Sequence, residues 1–313
     1  MAIELTAKQV QAEKPSAVVK RIRDTKETGL CLVVAPSVTK SFSMQFTSPE
    51  TGKRRYILIG TAKIGKSGDF SIKETRENAR ELKKLIRVGV DPVEQGIRDT
   101  KAEVRHLWNE TGVDVMRKDS AITLKLILST GQRTLEVLHA KWDEFNLEAG
   151  GWVIPFERRK VRYKAEHREP HVIPLCSLHV ELLKELQGMT GRETYLFPKI
   201  RNNPDGTEEP RSHHVLQQTA VRYCTPKSGS VPCKRFSPRD LRRTMKTLSR
   251  KAGIDKELRD RLQGHTFQDV SSKNYDRYDY WPQKQQAMEQ WCQYLETLVA
   301  GKNILPFRQD GAA

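Results

Sequence analysis

The feature that most limits what this chain can fold into is a change of hydrophobic period near Ser71. Upstream of it, GLCLVVAP (29–36), SFSMQFTS (41–48) and RRYILIGT (54–61) are apolar or alternating runs separated by the turn-rich SVTK and PETGK. That is the pattern of a β-meander, in which successive side chains face opposite sides of a sheet. From Ser71 onward the period becomes helical. SIKETRENARELKKLIRVGVDP opens on Ser71 as N-cap, sets Ala79, Leu82, Leu85 and Ile86 on one face, and stops at Gly89 ahead of Asp91-Pro92. AITLKLIL (121–128) is apolar on several helical faces, which requires burial all round. GGWVIP (150–155) and HVIPL (171–175) read as two strands joined by the long basic connection FERRKVRYKAEHREP. WPQKQQAMEQWCQYLETLV places Pro282 near a helix start and spaces Met288, Trp291, Leu295 and Leu298 as one apolar stripe. The fold class expected is α+β: a small β-rich N-terminal domain with a helix, then a mostly α-helical domain with a small antiparallel sheet.

A formal net charge of +16 narrows the class of partner, because such an excess repels itself unless phosphates or anionic headgroups offset it. Nucleic acid fits best. No run approaches the roughly 18 apolar residues of a membrane span, and MAIELTAKQVQAEKP lacks the apolar core of a signal peptide. A cytoplasmic, DNA-associated protein is therefore expected, with no membrane contact. The five cysteines, Cys31, Cys176, Cys224, Cys233 and Cys292, are odd in number and scattered without a C-x-x-C pair. They are expected to be reduced, with neither a disulfide framework nor a metal site.

The chemistry concentrates between Phe236 and Tyr280, where Arg239, Arg242 and Arg243 precede Gly264-His265, and Tyr275 follows ten residues after that histidine. Guanidinium forks donate paired hydrogen bonds to phosphate oxygens, an imidazole can donate to a phosphate, and a tyrosine hydroxyl can form an ester with phosphorus. The order FSPRDLRRT, LQGH and YDRYDY resembles the tyrosine recombinases, in particular the integrases of temperate phages and integrative elements. It departs from them where the family has a histidine and this chain has Arg239.

The resemblance extends through TGQRTLEV (130–137), where Arg133 matches the family's first catalytic arginine, and into the basic hairpin, where counting from Trp152 puts the catalytic lysine at Lys160, with Lys164 as the alternative. It implies that Tyr275 is the nucleophile, with Tyr278 and Tyr280 as nearby alternatives, and that Arg133, Arg242, His265, Lys160 and Arg239 complete the catalytic set without cofactor or metal. Residues 1–95 resemble the family's arm-type DNA-binding domain, which implies Lys53, Arg54 and Arg55, with Arg243 further on, as DNA contacts. The remaining plan is a linker at 96–102, a catalytic domain at 103–300 and a tail at 301–313. The helical core-binding domain usual between arm and catalytic domains is missing. The implied activity is site-specific recombination of attachment sites in integration or excision of a mobile element. A catalytically reduced DNA-binding relative and a type IB topoisomerase are the alternatives. Implied partners are double-stranded DNA, further copies of the chain on DNA, with the C-terminal helix as one candidate contact, and accessory DNA-bending proteins.

Overall fold

The computed structural model describes residues 2–37, 39–62, 71–110, 116–159, 169–200, 203–224, 235–265 and 280–301. The chain divides into two compact units, Met1–Asp99 and Thr100–Ala313.

The first unit is a five-stranded sheet closed by helices. Its strands β1 (Ala2–Ile3), β2 (Lys20–Asp24), β3 (Leu30–Val34), β4 (Lys40–Thr47) and β5 (Arg54–Thr61) lie in sequence order, antiparallel except for the parallel β1–β2 pair. β3, β4 and β5 are the three expected strands, while β1 and β2 are additions to the meander. Leu30, Leu32, Val34, Phe42, Met44 and Phe46 turn one face inward onto Leu5, Val10 of α1 (Ala7–Ala12), Ile22 and Ala79. Helix α2 (Ile72–Arg87) starts on a reciprocal cap, in which Ser71 Oγ accepts from the Glu74 N–H (3.1 Å) and Glu74 Oε2 accepts from the Ser71 N–H (2.8 Å). Its end at Gly89, with φ +82, is the one expected. Leu82 and Ile86 pack on the sheet with Ala79, but Leu85 is exposed, because it lies about 100° round the helix from Ile86. Arg76 locks α2 to the sheet through a two-point bond to the buried Asp24 (2.8 and 3.0 Å).

Helix α3 (Pro92–Glu110) is capped by Asp91 Oδ1, which accepts from the Val93 and Glu94 amides. Residues 96–102, expected as a linker, lie inside this helix; the capped start propagates through them despite Gly96, the weakest helix former among them.

In the second unit the core helix is α4 (Lys118–Thr130), buried from Asp119 to Thr130 except at Lys125, as its all-round apolarity requires. It ends on Gly131 in the left-handed conformation (φ +67), and a Cβ there would sit 2.8 Å from Met245 Sδ. After α5 (Thr134–Leu138), strands β6 (Phe145–Asn146), β7 (Gly151–Ile154) and β8 (His171–Pro174) form the small antiparallel sheet, of which β7 and β8 were expected. Helices α6 (Ser177–Thr190), α7 (His213–Cys224), α8 (Pro238–Lys251), α9 (Lys256–Leu262) and α10 (Trp281–Val299) complete the unit. The α10 stripe of Met288, Trp291, Leu295 and Leu298 is buried within the same chain, and Trp291 Nε1 donates to the Ser129 carbonyl (2.8 Å).

The cysteines correct the expectation in part. Cys176 at the start of α6 and Cys292 on the buried face of α10 are joined as a disulfide, with their Cα atoms 7.0 Å apart, while Cys31 and Cys224 form no disulfide. A separation of 116 residues hides such a pair from any spacing rule. No helix among the described residues is long and apolar enough to cross a membrane.

Candidate DNA-cleavage site

Three chain segments that are distant in sequence meet at one buried guanidinium. Arg242, on the inner face of α8, is 9% exposed, and its Nη1 and Nη2 donate to the carbonyls of Gly131 (2.7 Å) and Gln263 (2.6 Å). One carbonyl belongs to the turn that carries Arg133, and the other to the turn that carries His265. Gln132 fastens the same turns, its Nε2 donating to the carbonyls of Thr130 (2.9 Å) and Leu262 (2.8 Å), while Gln263 Nε2 donates back to the Arg242 carbonyl (3.0 Å). Arg242 thereby sets the spacing between the two turns. Its two bonds use two of the five guanidinium N–H groups, which leaves the fork able to take an anion.

Arg133 caps α5, and Glu136 one turn later accepts from both its backbone N–H (3.0 Å) and its Nη1 (2.7 Å), which fixes the guanidinium in place. Arg239 is exposed in the first turn of α8, and its charge reaches Arg242. Burial, then the charges of Arg133 and Arg239 against Glu136, bring the Arg242 guanidinium down to about 10, so it stays a cation at neutral pH. The charges of Arg133 and Arg239 thus act on Arg242, with Glu136 offsetting them only in part, an arrangement that favours an incoming anion.

His265 follows Gly264, whose φ of +59 makes the turn; a Cβ there would lie 3.1 Å from the His171 ring. His171 is buried and neutral, pushed down to about 3 mainly by burial, so its Nε2 is a donor to the Leu262 carbonyl (3.1 Å). The half-exposed His265 stands 3.0 Å from Asp260 Oδ1 through its Nδ1. Burial lowers its pKa, Asp260 pulls it up, and Lys246 and Arg242 pull it down, for a net fall.

The structure therefore brings together Arg133, Arg239, Arg242 and His265. Lys160, Lys164, Tyr275 and Tyr278 lie outside the described residues. Tyr280 is described at the head of α10, with the Arg261 guanidinium 3.5 Å above its ring. Arg243 is exposed and paired with Asp240 (2.9 Å). Of the expected arm contacts, Lys53 and Arg54 are exposed, whereas Arg55 is tied to Glu94 (2.9 Å) and Asp91 (3.2 Å).

Sequence reasoning passed over several charged residues in each unit. Arg159, half-buried at the foot of the basic hairpin, donates to the carbonyls of Glu169 (2.9 Å) and Gly264 (3.4 Å), and its charge is felt beside Arg133. Lys246 and Asp260, on α8 and α9, form an ion pair beside His265. Arg21 and Arg23 line the outer face of the arm sheet, with Arg21 5.5 Å from the Tyr56 ring centroid. Each looked in the sequence like one more solvated charge.

Among the described residues, Cys176, His179 and Cys292 are the group whose ligand atoms could hold a metal ion, all buried and within 4.8 Å of one another. They are already satisfied among themselves: the sulfurs are paired, His179 Nδ1 accepts from the Cys176 amide (3.2 Å), and the other bond of the ring goes to the Ser129 backbone. The cluster does not fit a metal as it stands.

Residues 99–280, more than half of the chain, match the phage integrase family, and residues 5–99 match the arm DNA-binding domain. The chain belongs to the phage integrase family. Over 83 residues (25% of the chain) it is 36% identical to the integrase of Enterobacteria phage P4, of which the match covers 19%. Over 179 residues (57% of the chain) it is 23% identical to the prophage integrase IntA of Escherichia coli (strain K12), of which 39% is covered. The chain spans well under half the length of these curated relatives. Among solved structures it is similar to the integrase from mycobacterium phage Brujita, at 16% identity and TM-score 0.44, covering 63% of this chain and 61% of that one. A partial likeness to the XerH site-specific recombinase bound to its difH substrate, at 22% identity, has TM-score 0.38 and covers 57% of this chain and 48% of that one.

Proposed function

We propose that this protein is a site-specific DNA recombinase that cuts and rejoins duplex DNA through a 3′-phosphotyrosine on Tyr275. The observation that carries the reading is the convergence of Arg133, Arg239, Arg242 and His265 on one site, with Glu136 holding Arg133 and Asp260 holding His265. Three guanidinium groups at one place suit the scissile phosphate, whose non-bridging oxygens gain charge in the pentacoordinate transition state. An unperturbed tyrosine is ionised only about once in a thousand at pH 7, a deficit of roughly 4 kcal/mol that these cations help to offset during attack. The Tyr275 hydroxyl attacks phosphorus, the bond to the 5′ oxygen breaks, and Lys160 or Lys164 supplies the proton that this oxygen takes. The ester keeps the energy of the broken bond, so the reverse attack restores the duplex.

The arm unit adds grip on the same DNA through Arg21, Arg23, Lys53 and Arg54. Partner copies and DNA-bending proteins would bring two sites together, in the cytoplasm where the DNA is. A nicked duplex that traps the covalent intermediate tests the reading. The native chain should form an adduct and Tyr275→Phe none, with DNA affinity nearly unchanged. Binding without any adduct from the native chain would instead assign a DNA-binding relative, and an adduct formed by Tyr275→Phe but not by Tyr280→Phe would move the nucleophile to Tyr280.

A further inference from the structure

Arg239 raises a question about proton flow, since a guanidinium stays protonated at neutral pH and cannot take a proton from a tyrosine. His265 is the imidazole at the site, and its surroundings fix which of its nitrogens is available. Its backbone N–H donates to the Asp260 carbonyl (3.0 Å), and its Nδ1 lies 3.0 Å from Asp260 Oδ1. Lys246 Nζ bonds to that same Oδ1 and stands 3.3 Å from Nδ1. Partial burial acts to raise the Asp260 carboxyl, but hydrogen bonds from Lys246 and His265 outweigh it and hold the group below the ordinary range, so it is ionised. An ionised carboxylate only accepts, so the hydrogen of the short contact sits on Nδ1. Nε2 is then the nitrogen with the lone pair.

Resting on the reading that Tyr275 cleaves DNA, we infer that Asp260 and Lys246 are positioning residues that hold His265 in the Nδ1-protonated form, so that Nε2 accepts the Tyr275 proton. The step balances. The phenol oxygen forms its bond to phosphorus, the bond to the 5′ oxygen breaks, the phenol proton passes to Nε2, and the hairpin lysine protonates the leaving oxygen. Asp260 offsets the imidazolium charge that results, and rejoining returns the proton. Among the described residues, the charged groups facing His265 are Asp260, Lys246 and Arg242. Losing Asp260 leaves only the two cations, which lowers the imidazole pKa and moves the acid limb of the rate to lower pH.

The test is single-turnover adduct formation on the nicked duplex from pH 5 to 9, using the full chain. Asp260→Asn should cut the plateau at least tenfold and shift the acid limb downward, with DNA affinity kept, and Arg239→His should restore part of the lost rate by supplying a second imidazole. Nitrogen-15 spectra of the ring should show the Nδ1–H form in the native protein and a mixture in Asp260→Asn. If Asp260→Asn does not fold, Lys246→Met takes its place: freeing the carboxylate to move should again cut the plateau, and losing a cation that lowers the imidazole pKa should move the acid limb upward. An unchanged plateau and acid limb in a folded variant, beside a native chain that forms adduct, would overturn the positioning role and leave the recombinase reading standing. A native Nε2–H form would overturn it whether or not adduct appears. No adduct from the native chain at any pH would end the recombinase reading and this inference with it.

Discussion

Acid should loosen the cleavage site through one buried histidine. His171 sits under the Gly264 turn, donates to the Leu262 carbonyl, and is pushed from 6.5 down to about 3 by burial first. The unfolded chain therefore binds a proton below about 6.5 that the folded chain refuses until about 3, so stability falls with pH across that window. Between pH 7 and pH 5 this one ring should account for a loss of about 2 kcal/mol, from the ratio of proton binding in the two states. His171→Gln keeps a donor toward Leu262 and cannot titrate, so it costs some packing at both pH values but escapes the acid loss. Glu144 and Glu296, raised mainly by burial, act in the opposite sense, and Asp119, held at about 2 by Arg211 and Arg117 against burial, titrates below the window. All of these cancel in the difference between the two proteins. All five tryptophans, at 108, 142, 152, 281 and 291, lie in the unit Thr100–Ala313, so urea unfolding followed by fluorescence reports that unit alone. The gap between native and His171→Gln should move by about 2 kcal/mol in favour of the variant from pH 7 to 5. If both curves fell in step, His171 would not be a buried neutral ring and the packing account of the Gly264 turn would be wrong.

Arg242→Lys should cost both stability and cleavage, because one ammonium cannot reach two carbonyls as the fork does; a buried acceptor left unpaired costs about 1–3 kcal/mol, to be read in melting and in single-turnover cleavage. A lysine variant equal to the native chain in both would show that Arg242 acts as a point charge only. Gly131→Ala should destabilise by at least about 1 kcal/mol in urea titration, from the left-handed φ together with the close approach to Met245, and a neutral result would mean that α8 moves aside freely.

Much of the site was legible because its chemistry is written in adjacent residues: TGQR, DLRR and LQGH each carry their functional side chain beside the turn or cap that aims it. The meander was legible for the same local reason. What escaped was set by tertiary partners. β2 reads KRIRD, with four charges in five residues, and becomes a strand because Ile22 and Asp24 turn inward, the latter onto Arg76 of α2, 52 residues away. Lys246 and Asp260 are 14 residues apart on different helices and share no periodic face. The Cys176–Cys292 pairing depends on where α10 docks, which composition does not report. Arg55 seemed as free as Lys53 until the start of α3 placed Asp91 and Glu94 against it.

The charges of Arg133 and Arg239 acting on Arg242, offset only in part by Glu136, make the site a source of internal repulsion whenever no phosphate fills it. Under the proposed function, cutting and a durable fold then make opposing demands on the same residues. Removing the charge of Arg239, which is exposed and holds up no neighbouring carbonyl among its described contacts, should leave a chain that is harder to unfold and worse at its work. The bare protein is thus tuned to be completed by a polyanion, and DNA should act on it as a stabilising ligand before any bond is broken.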